Sequence, residues 1–521
     1  MTTSEIPARA GRREWIGLAV LTLACLLYAM DLTVLHLAVP SLSGDLQPTS
    51  TELLWIVDIY GFLVAGALLT MGTLGDRIGR RKLLLIGAVA FSVISVAAAF
   101  STTPTQLIAS RALMGLAGAT IAPATLSLIF NMFPDPGQRS KAVGLWITAF
   151  SAGGAVGPVI GGLLLERYWW GSVFLMALPV MALLLVLGPR VLPEYRDPEA
   201  GRLDLLSAGM SLAAVLSTVF GLKELAIEGF SWRAAATLTV GLVIGVGFWR
   251  RQHRLDDPLI DPTMFRSKVF NVALMTNLFG IFVAFGFFLF VAQYLQLVLG
   301  LSPQVAGLWS LPSALGFIVG ANVSPRFIHK VPPALILAPA LALCAVGLWI
   351  FTQAGTTGGL GLAVAGSLIL TLALSPVFNL TTELIVGSAP PEKAGAASGI
   401  SETGAELGGA LGIAILGSLG VAVYRSSLDA AMPVGLSPQD QAGALDSLGG
   451  AFEISEQLPA PLGDALIEAG KVAFVDGLHA TTAVTAVVAL VVAAVVAALL
   501  NGVQARDRRP TSDEQPEFVT S

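Results

Sequence analysis

The chain has 521 residues, of which 55% are hydrophobic and only 12% are charged, and its mean hydropathy is +0.79. Soluble domains carry about a quarter charged residues, so this composition excludes a large soluble core and indicates a membrane protein with many spans. The two cysteines lie in apolar stretches without a metal-ligand pattern, and the polar segments are too short for a separate enzyme domain. We therefore expect no enzyme activity, no metal and no cofactor.

Fourteen stretches approach the ~20 apolar residues that a helix needs to cross a bilayer. In chain order they lie near 15–39, 52–73, 83–101, 105–131, 141–165, 170–189, 203–222, 233–250, 270–298, 304–325, 333–353, 358–386, 395–424 and 479–503. Most of the 29 Lys and Arg residues fall in every second connection, beginning with the N-terminal tail. Because basic residues concentrate in cytoplasmic segments, this pattern predicts fourteen spanning helices with both termini in the cytoplasm.

An internal repeat suggests how these spans are grouped. One constant shift places Gly153, Gly157 and Gly161 on Gly404, Gly408 and Gly412, which indicates two related halves. We expect an N-terminal six-helix bundle at 1–190, two inserted helices with their linkers at 191–268, and a C-terminal six-helix bundle at 269–504. Within the second bundle, we expect residues 425–478 to form an acidic, partly helical extracellular loop, and we expect residues 505–521 to form a disordered cytoplasmic tail.

Two carboxylates, Glu402 and Glu406, lie in the apolar run from 394 to 420, which contains no basic residue. Their spacing of four residues places both on one face of a helix. Since a carboxylate in hydrocarbon is costly, such residues normally face the protein interior or a water-filled cavity. A single acid is equally compatible with a hydrogen bond to a neighbouring helix, whereas two on one face favour a functional site.

A second set of charged residues lies in the outer halves of three other spans. Asp31 is in the first, Asp58 in the second and Arg111 in the fourth, where it lies a turn or two below the outer surface. The depths of Asp31 and Arg111 match, and an arginine in hydrocarbon is normally paired with an acid. We therefore expect these two side chains to meet, with a purely structural ion pair as the alternative to a functional one.

Two further segments are rich in glycine. The connection after the second span reads GTLGDRIGRRK, where glycines permit a tight turn and Asp76 can cap the next helix or bind a basic residue. The fifth span contains Gly157 and Pro158 within a series of small residues at every fourth position. Such a face is smooth and lets a neighbouring helix approach closely.

Four of these segments resemble, in their order and positions, signature motifs of the major facilitator superfamily: those at Asp31–Pro40, at GTLGDRIGRRK, around Arg111 and at 157–162. With fourteen spans, the chain resembles the drug:proton antiporters of that superfamily, and among them the exporters of quaternary ammonium compounds. The resemblance covers nearly the whole chain. It implies an all-α membrane protein with the major facilitator fold, in which two six-helix bundles flank two inserted central helices, and a monomer in the bacterial inner membrane.

The resemblance also implies roles for single residues. Asp31 matches an acid associated with protonation or cation recognition, and Arg111 matches an arginine linked to proton transfer. Asp58, Glu402 and Glu406 resemble acids implicated in the exporters of quaternary ammonium compounds.

Four more residues match motifs that control conformation in this family. Asp76 with Arg80 corresponds to a cytoplasmic gate, and Gly157 with Pro158 corresponds to the antiporter motif of the fifth helix.

The acids in the spans, together with this resemblance, imply a proton-coupled multidrug antiporter that exports lipophilic cations, such as quaternary ammonium compounds, dyes and biguanides, by alternating access. Its partners are then cationic drugs, protons and the lipid bilayer, and no nucleic acid. The alternative within the same class is a proton-coupled exporter of an endogenous metabolite or lipid that transports drugs incidentally. A membrane enzyme or a sensor without transport is disfavoured because the sequence has no metal-ligand cluster, nucleophile elbow or phosphate loop.

Overall fold

The structure is a computed structural model that describes residues 9–48, 50–196, 204–228, 231–255, 258–328, 330–390 and 393–501. Within these ranges the chain forms helices and no strand. The first helix group contains α1 (Arg12–Leu46), α2 (Ser50–Ile78), α3 (Arg80–Ala99), α4 (Pro104–Gly118), α5 (Ile121–Met132), α6 (Pro136–Arg167), α7 (Ser172–Leu175) and α8 (Ala177–Val191). A hairpin of α9 (Leu205–Glu228) and α10 (Trp232–Gln252) follows.

The second helix group follows a short 3-10 turn at Pro262–Arg266. It contains α11 (Lys268–Gln293), α12 (Pro303–Val323), α13 (Pro325–Ile328), α14 (Ala334–Phe351), α15 (Leu360–Gly387), α16 (Ala394–Ala430), α17 (Pro438–Asp446), α18 (Leu448–Ser455) and α19 (Ala460–Leu500). The predicted tail at 505–521 lies outside the described residues, and the division of the chain at 190 and 268 stays a prediction.

Thirteen helical stretches among the described residues are long and apolar enough to cross a membrane. One of them joins α4 and α5 over Pro104–Met132, and another joins α7 and α8 over Ser172–Val191. The predicted fifth span corresponds to α6, a glycine-containing helix of 32 residues that is not counted among these thirteen. The chain is therefore an all-α, multi-pass membrane protein, as its composition predicts.

Close helix packing explains the repeated glycines. A Cβ atom on Gly408 of α16 would lie 2.5 Å from the carbonyl oxygen of Leu278 on α11, and a Cβ atom on Gly153 of α6 would collide with the carbonyl oxygen of Leu26 on α1. Because backbone atoms cannot move aside as a flexible side chain can, only glycine permits this approach. The pairs α1–α6 and α11–α16 thus pack in the same way, in agreement with the repeat.

The two ends of the bundle can be told apart by their contacts. At the basic end, which we define by Asp76, Arg80 and Lys393, α2 ends, α3 begins and α16 begins. At the opposite, far end, the indole N–H of Trp169 donates to the carbonyl oxygen of Ala99 at 3.2 Å, where α3 ends. The basic end is the one that the distribution of Lys and Arg predicts to be cytoplasmic.

The α9–α10 hairpin covers the boundary between α2 and α16. The ring of Phe220 on α9 stacks on Trp55 of α2 with a centroid separation of 6.1 Å, and it meets Phe62 of α2 edge-on at 6.2 Å. Phe62 belongs to one apolar cluster with Val219 of α9 and Ala410 of α16. A single helix of the hairpin therefore contacts both helix groups.

A polar network at the basic end connects this hairpin to the linker that follows it. Nη2 of Arg251 lies 2.7 Å from Oδ2 of Asp204. The buried Gln252 donates to the hydroxyl of Ser207 at 2.8 Å and accepts the backbone N–H of Leu259 at 2.6 Å. Partial burial raises the pKa of Asp204, but the hydrogen bonds from Ser207 and Arg251 outweigh this effect and lower that pKa to about 2. The ion pair is therefore complete at neutral pH.

The segment predicted as a loop at 425–478 is largely helical. Helices α16 and α19 have 37 and 41 residues, so at 1.5 Å per residue they are ~55 Å and ~60 Å long and exceed the ~30 Å hydrocarbon core. Their extensions at the far end pack with α17 and α18, and the hydroxyl of Tyr424 donates to the carbonyl oxygen of Ala444 at 2.9 Å.

Candidate functional site

Arg111 of α4 and Asp31 of α1 form a buried ion pair, as their matching depths predicted. Nη1 of Arg111 lies 2.6 Å from Oδ2 of Asp31, and the two side chains are 2% and 5% exposed. The guanidinium carbon also lies 4.5 Å from the ring centroid of Tyr60 and 5.8 Å from that of Phe174. The arginine charge is thus surrounded by one carboxylate, two aromatic rings and the backbone carbonyl of Ile56, to which Nε donates at 3.4 Å.

Tyr60 of α2 connects this ion pair to the acids of α16. Its ring is fully buried and interacts electrostatically with Asp31 and Glu406 as well as with Arg111. Its hydroxyl is buried and has no hydrogen-bond partner among the described residues. Because a buried hydroxyl without a partner is costly, the hydroxyl of Tyr60 does not stabilise the fold, and the contacts of this residue are made by its ring.

An aromatic surface of the first helix group surrounds Tyr60. The ring of Tyr28 on α1 lies 6.3 Å from that of Tyr60 and 5.6 Å from that of Phe150 on α6. Phe150 in turn lies 4.7 Å from Trp146, whose indole N–H donates to Thr125 at 3.0 Å. These four rings, from α1, α2 and α6, form one continuous cluster, which we call the aromatic surface.

The two acids of α16 face this aromatic surface from the second helix group. Glu402 and Glu406 both lie within electrostatic range of Tyr28, and Glu402 also lies within that range of Cys25, one helical turn earlier on α1. The acids interact with each other as well, and both residues are only partly buried. Two carboxylates of one helix group thus lie opposite aromatic rings of the other.

No metal site is formed in the part of the chain that the structure describes. Within the described ranges, no group of three or more His, Cys, Asp or Glu residues is arranged to hold an ion. The chemistry that the carboxylates and aromatic rings can perform is the exchange of protons and the binding of cations.

At the basic end, Asp76 of α2 joins the two helix groups. Its Oδ1 accepts from Nε of Arg80 at 2.8 Å and from the backbone N–H of Gly395 at 3.1 Å, and its Oδ2 accepts the N–H of Ala396 at 2.9 Å. Gly395 and Ala396 are in the first turn of α16, so a carboxylate of the first group caps a helix of the second. This position also favours negative charge, because of the helix dipole.

Close backbone contact accompanies this cap. A Cβ atom on Gly395 would lie 2.5 Å from the carbonyl oxygen of Gly72 on α2, so the two helices touch along their backbones. The guanidinium of Arg80 lies 4.8 Å from the ring centroid of Tyr195, and the backbone N–H of Arg80 donates to the carbonyl oxygen of Tyr195 at 3.1 Å. In this conformation the boundary between α2 and α16 is closed at the basic end.

A second boundary at the basic end lies between α6 and α12. A Cβ atom on Gly144 would lie 2.5 Å from the carbonyl oxygen of Ala321. The amide of Asn322 donates to the hydroxyl of Thr148 at 3.3 Å. This boundary is held by neutral groups, whereas that between α2 and α16 is held by the Asp76 carboxylate.

The first turn of α16 has one more anchor. Nζ of Lys393, which immediately precedes α16, lies 2.7 Å from Oδ2 of Asp261 in the linker before α11. Burial raises the pKa of Asp261, but hydrogen bonds from Lys393 and Thr263 outweigh this effect and hold that pKa below its ordinary value.

Of the three remaining predicted residues, only Gly157 can be placed relative to this geometry. Gly157 is buried in α6, about two turns beyond Phe150 on the aromatic surface. Asp58 lies in α2 and Pro158 in α6, and the side chains of both are outside the described part of the structure.

Several residues of the site were not identified from the sequence. Tyr28 lies three residues before Asp31, and that spacing on a helix was a usable signal. A further buried acid, which is not among the contacts described above, is Glu383 of α15, 2% exposed; an acid in an apolar span met the criterion that selected Glu402. For Tyr60 the sequence contained no signal, because a tyrosine in a span is equally suited to packing.

Comparison with known proteins places the chain among transporters. The sequence model described as the Major Facilitator Superfamily matches residues 21–413. The Multidrug efflux pump LfrA of Mycolicibacterium smegmatis is 41% identical over 486 residues, which cover 93% of this chain and 95% of the relative. The Methyl viologen resistance protein SmvA of Salmonella typhimurium is 35% identical over 465 residues, which cover 89% and 93%. The Tetracenomycin C resistance and export protein of Streptomyces glaucescens is 34% identical, with 78% and 76% covered.

Solved structures share the fold at low sequence identity. The human organic anion transporter MFSD10 superposes with a TM-score of 0.61 at 15% identity, covering 94% of this chain and 99% of the other. The proton:xylose symporter XylE superposes with a TM-score of 0.55 at 16% identity, covering 92% and 94%. These two similarities establish the arrangement of helices and carry no information about substrate.

Proposed function

Since the chain belongs to the Major Facilitator Superfamily, which consists of membrane transporters and not of enzymes, we propose that it exports lipophilic cationic drugs in exchange for protons. The observation that carries the proposal is the position of Glu402 and Glu406 opposite the aromatic surface. The names of two relatives, a multidrug efflux pump and a resistance protein for the organic dication methyl viologen, support the same substrate class.

The substrate chemistry follows from the two sides of the site. The ring faces of Tyr28 and Phe150 attract a cation by ~0.5–2 kcal/mol each, depending on how far it is desolvated. Glu402 and Glu406 supply the opposite charge, and two carboxylates match a dication better than a monocation. An apolar body with one or two permanent positive charges therefore fits the site better than a sugar or an organic anion.

Proton coupling follows from the cost of a charged acid in an apolar interior. A carboxylate there needs a compensating positive charge, which either a proton or a cationic drug can supply. Release of the drug therefore favours uptake of a proton, and release of the proton on the other side restores the binding charge. At ~100 mV each charge moved contributes ~2.3 kcal/mol, or a gradient of about fifty-fold.

The ion pair of Asp31 and Arg111 has a supporting role in this proposal. A proton on Asp31 would leave Arg111 with its aromatic neighbours, Tyr60 and Phe174, and the backbone carbonyl of Ile56. Asp31 and Glu406 both lie within electrostatic range of Tyr60, so a change of charge at one acid alters the field near the other. We propose that this proximity couples the proton site to the cation site.

Alternating access uses the contacts at the basic end. We propose that this end faces the cytoplasm, as the distribution of basic residues indicates, in the inner membrane of a bacterial cell with both termini inside. The described conformation is then closed toward the cytoplasm, with Asp76 and Arg80 on one boundary. We propose that the protein works as a monomer.

The test is transport of a fluorescent lipophilic cation by purified protein in liposomes with an imposed pH gradient. We expect Glu402→Gln and Glu406→Gln each to reduce proton-driven transport at least tenfold, while helix content and insertion stay unchanged. The matched control is Glu453→Gln, which removes an exposed acid of α18 at the far end. Transport at the normal rate by the double variant would contradict the proposal.

A second measurement separates drug export from export of an endogenous metabolite or lipid. In the same liposomes, a panel of monocations, dications, neutral drugs and lipids is compared with and without an uncoupler. We expect dications to compete best, and the loss of transport when both the pH gradient and the voltage are collapsed. Faster transport of a neutral lipid than of any cation would favour the alternative.

A further inference from the structure

A groove with a volume of about 660 Å³ runs along the surface between α3 and α8. Its walls are apolar and consist of Leu85, Ile86, Val89 and Ala90 from α3 with Leu185 and Pro189 from α8. The side chains of Ile86 and Val89 are 51% and 49% exposed. On a spanning helix, such exposure of large aliphatic side chains faces hydrocarbon, so the groove opens to the bilayer.

The end of the groove at the basic end carries positive charge. Arg81 and Lys82, in the first turn of α3, and Glu194, beyond the end of α8, line it. Glu194 accepts the backbone N–H groups of Arg81 and Lys82, both at 3.1 Å, and its Oε2 lies 3.4 Å from Nε of Arg81. Arg81 also donates to the carbonyl oxygen of Leu192 at 3.0 Å. The charge of Glu194 is thus compensated by Arg81.

Lys82 therefore provides the excess charge of this groove. Its side chain is exposed, and in the part of the chain that the structure describes its ammonium group forms no ion pair. The mouth of the groove carries the positive charges of Arg81 and Lys82 and the negative charge of Glu194, so its net charge is +1. A bound anion would find a free ammonium group and the outer face of an anchored guanidinium.

The length of the groove matches a ligand that has both a charged group and an apolar chain. From Lys82 to Ala90 the groove follows α3 for ~12 Å, at 1.5 Å per residue. One leaflet, and therefore one acyl chain, spans half of the ~30 Å hydrocarbon core. The groove is somewhat shorter than this depth. A free anion uses only the charged mouth and a neutral lipid uses only the apolar walls, whereas an anionic phospholipid uses both.

We propose that this groove binds one anionic phospholipid of the leaflet at the basic end. Its phosphate contacts Lys82 and Arg81, and one acyl chain lies along Ile86 and Val89. The proposal is independent of the transported substrate, because the groove lies on the outer surface of the first helix group, away from Glu402 and Glu406.

The test uses purified full-length protein equilibrated in mixed micelles of phosphatidylglycerol and phosphatidylcholine with identical acyl chains. After a detergent wash, native mass spectrometry counts the lipids retained on each protein. We expect one phosphatidylglycerol to be retained in preference to phosphatidylcholine, and Lys82→Gln to reduce this preference about fivefold, which corresponds to ~1 kcal/mol for a basic residue near an anionic surface. Lys268→Gln, at an exposed lysine outside the groove, is expected to retain the normal preference.

A second pair of variants tests the apolar walls. Ile86→Trp fills the groove from an exposed position, and Val93→Trp adds the same ring two turns further along the same face, at a residue that is 65% exposed. We expect only Ile86→Trp to lose the retained lipid. Equal retention of phosphatidylcholine by the normal protein, an equal effect of Lys82→Gln and Lys268→Gln, or full retention by Ile86→Trp would each overturn the proposal.

Discussion

The carboxylate of Asp76 on α2 accepts the backbone N–H of Gly395 on α16 at 3.1 Å, so one helix group provides the N-terminal cap for a helix of the other. An ordinary N-cap comes from the residue next to the helix, so it stabilises the helix in every conformation of the protein. This cap exists only while the boundary between α2 and α16 is closed at the basic end. It therefore stabilises one conformation of the transporter relative to another, in addition to α16 itself.

Removal of this cap is expected to open the basic end. The loss of an N-cap costs ~1 kcal/mol, so Asp76→Ala should raise the population of the open form about fivefold. The population can be measured by the rate at which a maleimide labels Ser398→Cys, because Ser398 of α16 is fully buried in the closed form. Cys25 and Cys344 are replaced beforehand, although both are buried.

Asp135→Ala is the matched control for this measurement. Asp135 caps α6 by accepting the N–H of Gln138 at 2.8 Å within the same helix group. Its removal is expected to lower the melting temperature without a change in labelling at position 398. If both variants accelerate labelling equally, the cap by Asp76 has no special relation to the closed boundary.

A methyl group at Gly395 is expected to prevent closure. The added carbon would lie 2.5 Å from the carbonyl oxygen of Gly72, and neither backbone can yield without separating the helices. Transport by Gly395→Ala should fall at least tenfold, with the basic end permanently accessible to labelling. Gly361→Ala, where a Cβ atom meets nothing within 4 Å, should transport normally, and comparable losses in the two variants would contradict this explanation.

Substitutions at Tyr60 separate its ring from its hydroxyl. Since the hydroxyl has no hydrogen-bond partner among the described residues, Tyr60→Phe should leave the melting temperature unchanged or raise it. Tyr60→Leu removes the ring that lies 4.5 Å from the guanidinium of Arg111, at a cost of ~0.5–2 kcal/mol. Transport by the Phe variant should stay near normal and that by the Leu variant should fall. Equal losses in both would show that the hydroxyl itself takes part in transport.

The ion pair of Asp204 and Arg251 predicts a specific pH dependence of stability. The pKa of Asp204 is lowered to about 2 in the folded protein, so its contribution is fully present above the unfolded pKa of ~3.9 and is lost as the pH falls toward 2. Asp204→Asn should therefore lower the melting temperature by the same amount at every pH from 5 to 8. If the difference in melting temperature between the normal protein and Asp204→Asn shrinks between pH 8 and pH 5, this assignment is contradicted.

Much of the architecture could be predicted because the signals for it are local. Apolar length identified the spans, including the one at 141–165 that forms the glycine-containing helix α6. The pairing of Asp31 with Arg111 could be predicted because a charged residue in an apolar interior requires a partner at the same depth. The acids at Glu402 and Glu406 were identified by the same energetic argument.

Only the tertiary structure decided which surfaces meet. Lipid and protein interior are equally apolar, so the sequence of a span does not reveal which of its faces turns inward, and the aromatic surface around Tyr28 and Tyr60 could not be located. The cap on α16 joins residues 319 positions apart, and nothing in the sequence near either one specifies that contact. Composition and charge thus determined the spans, their count and the need for buried pairs, whereas packing across the helix groups decided which partners those residues have.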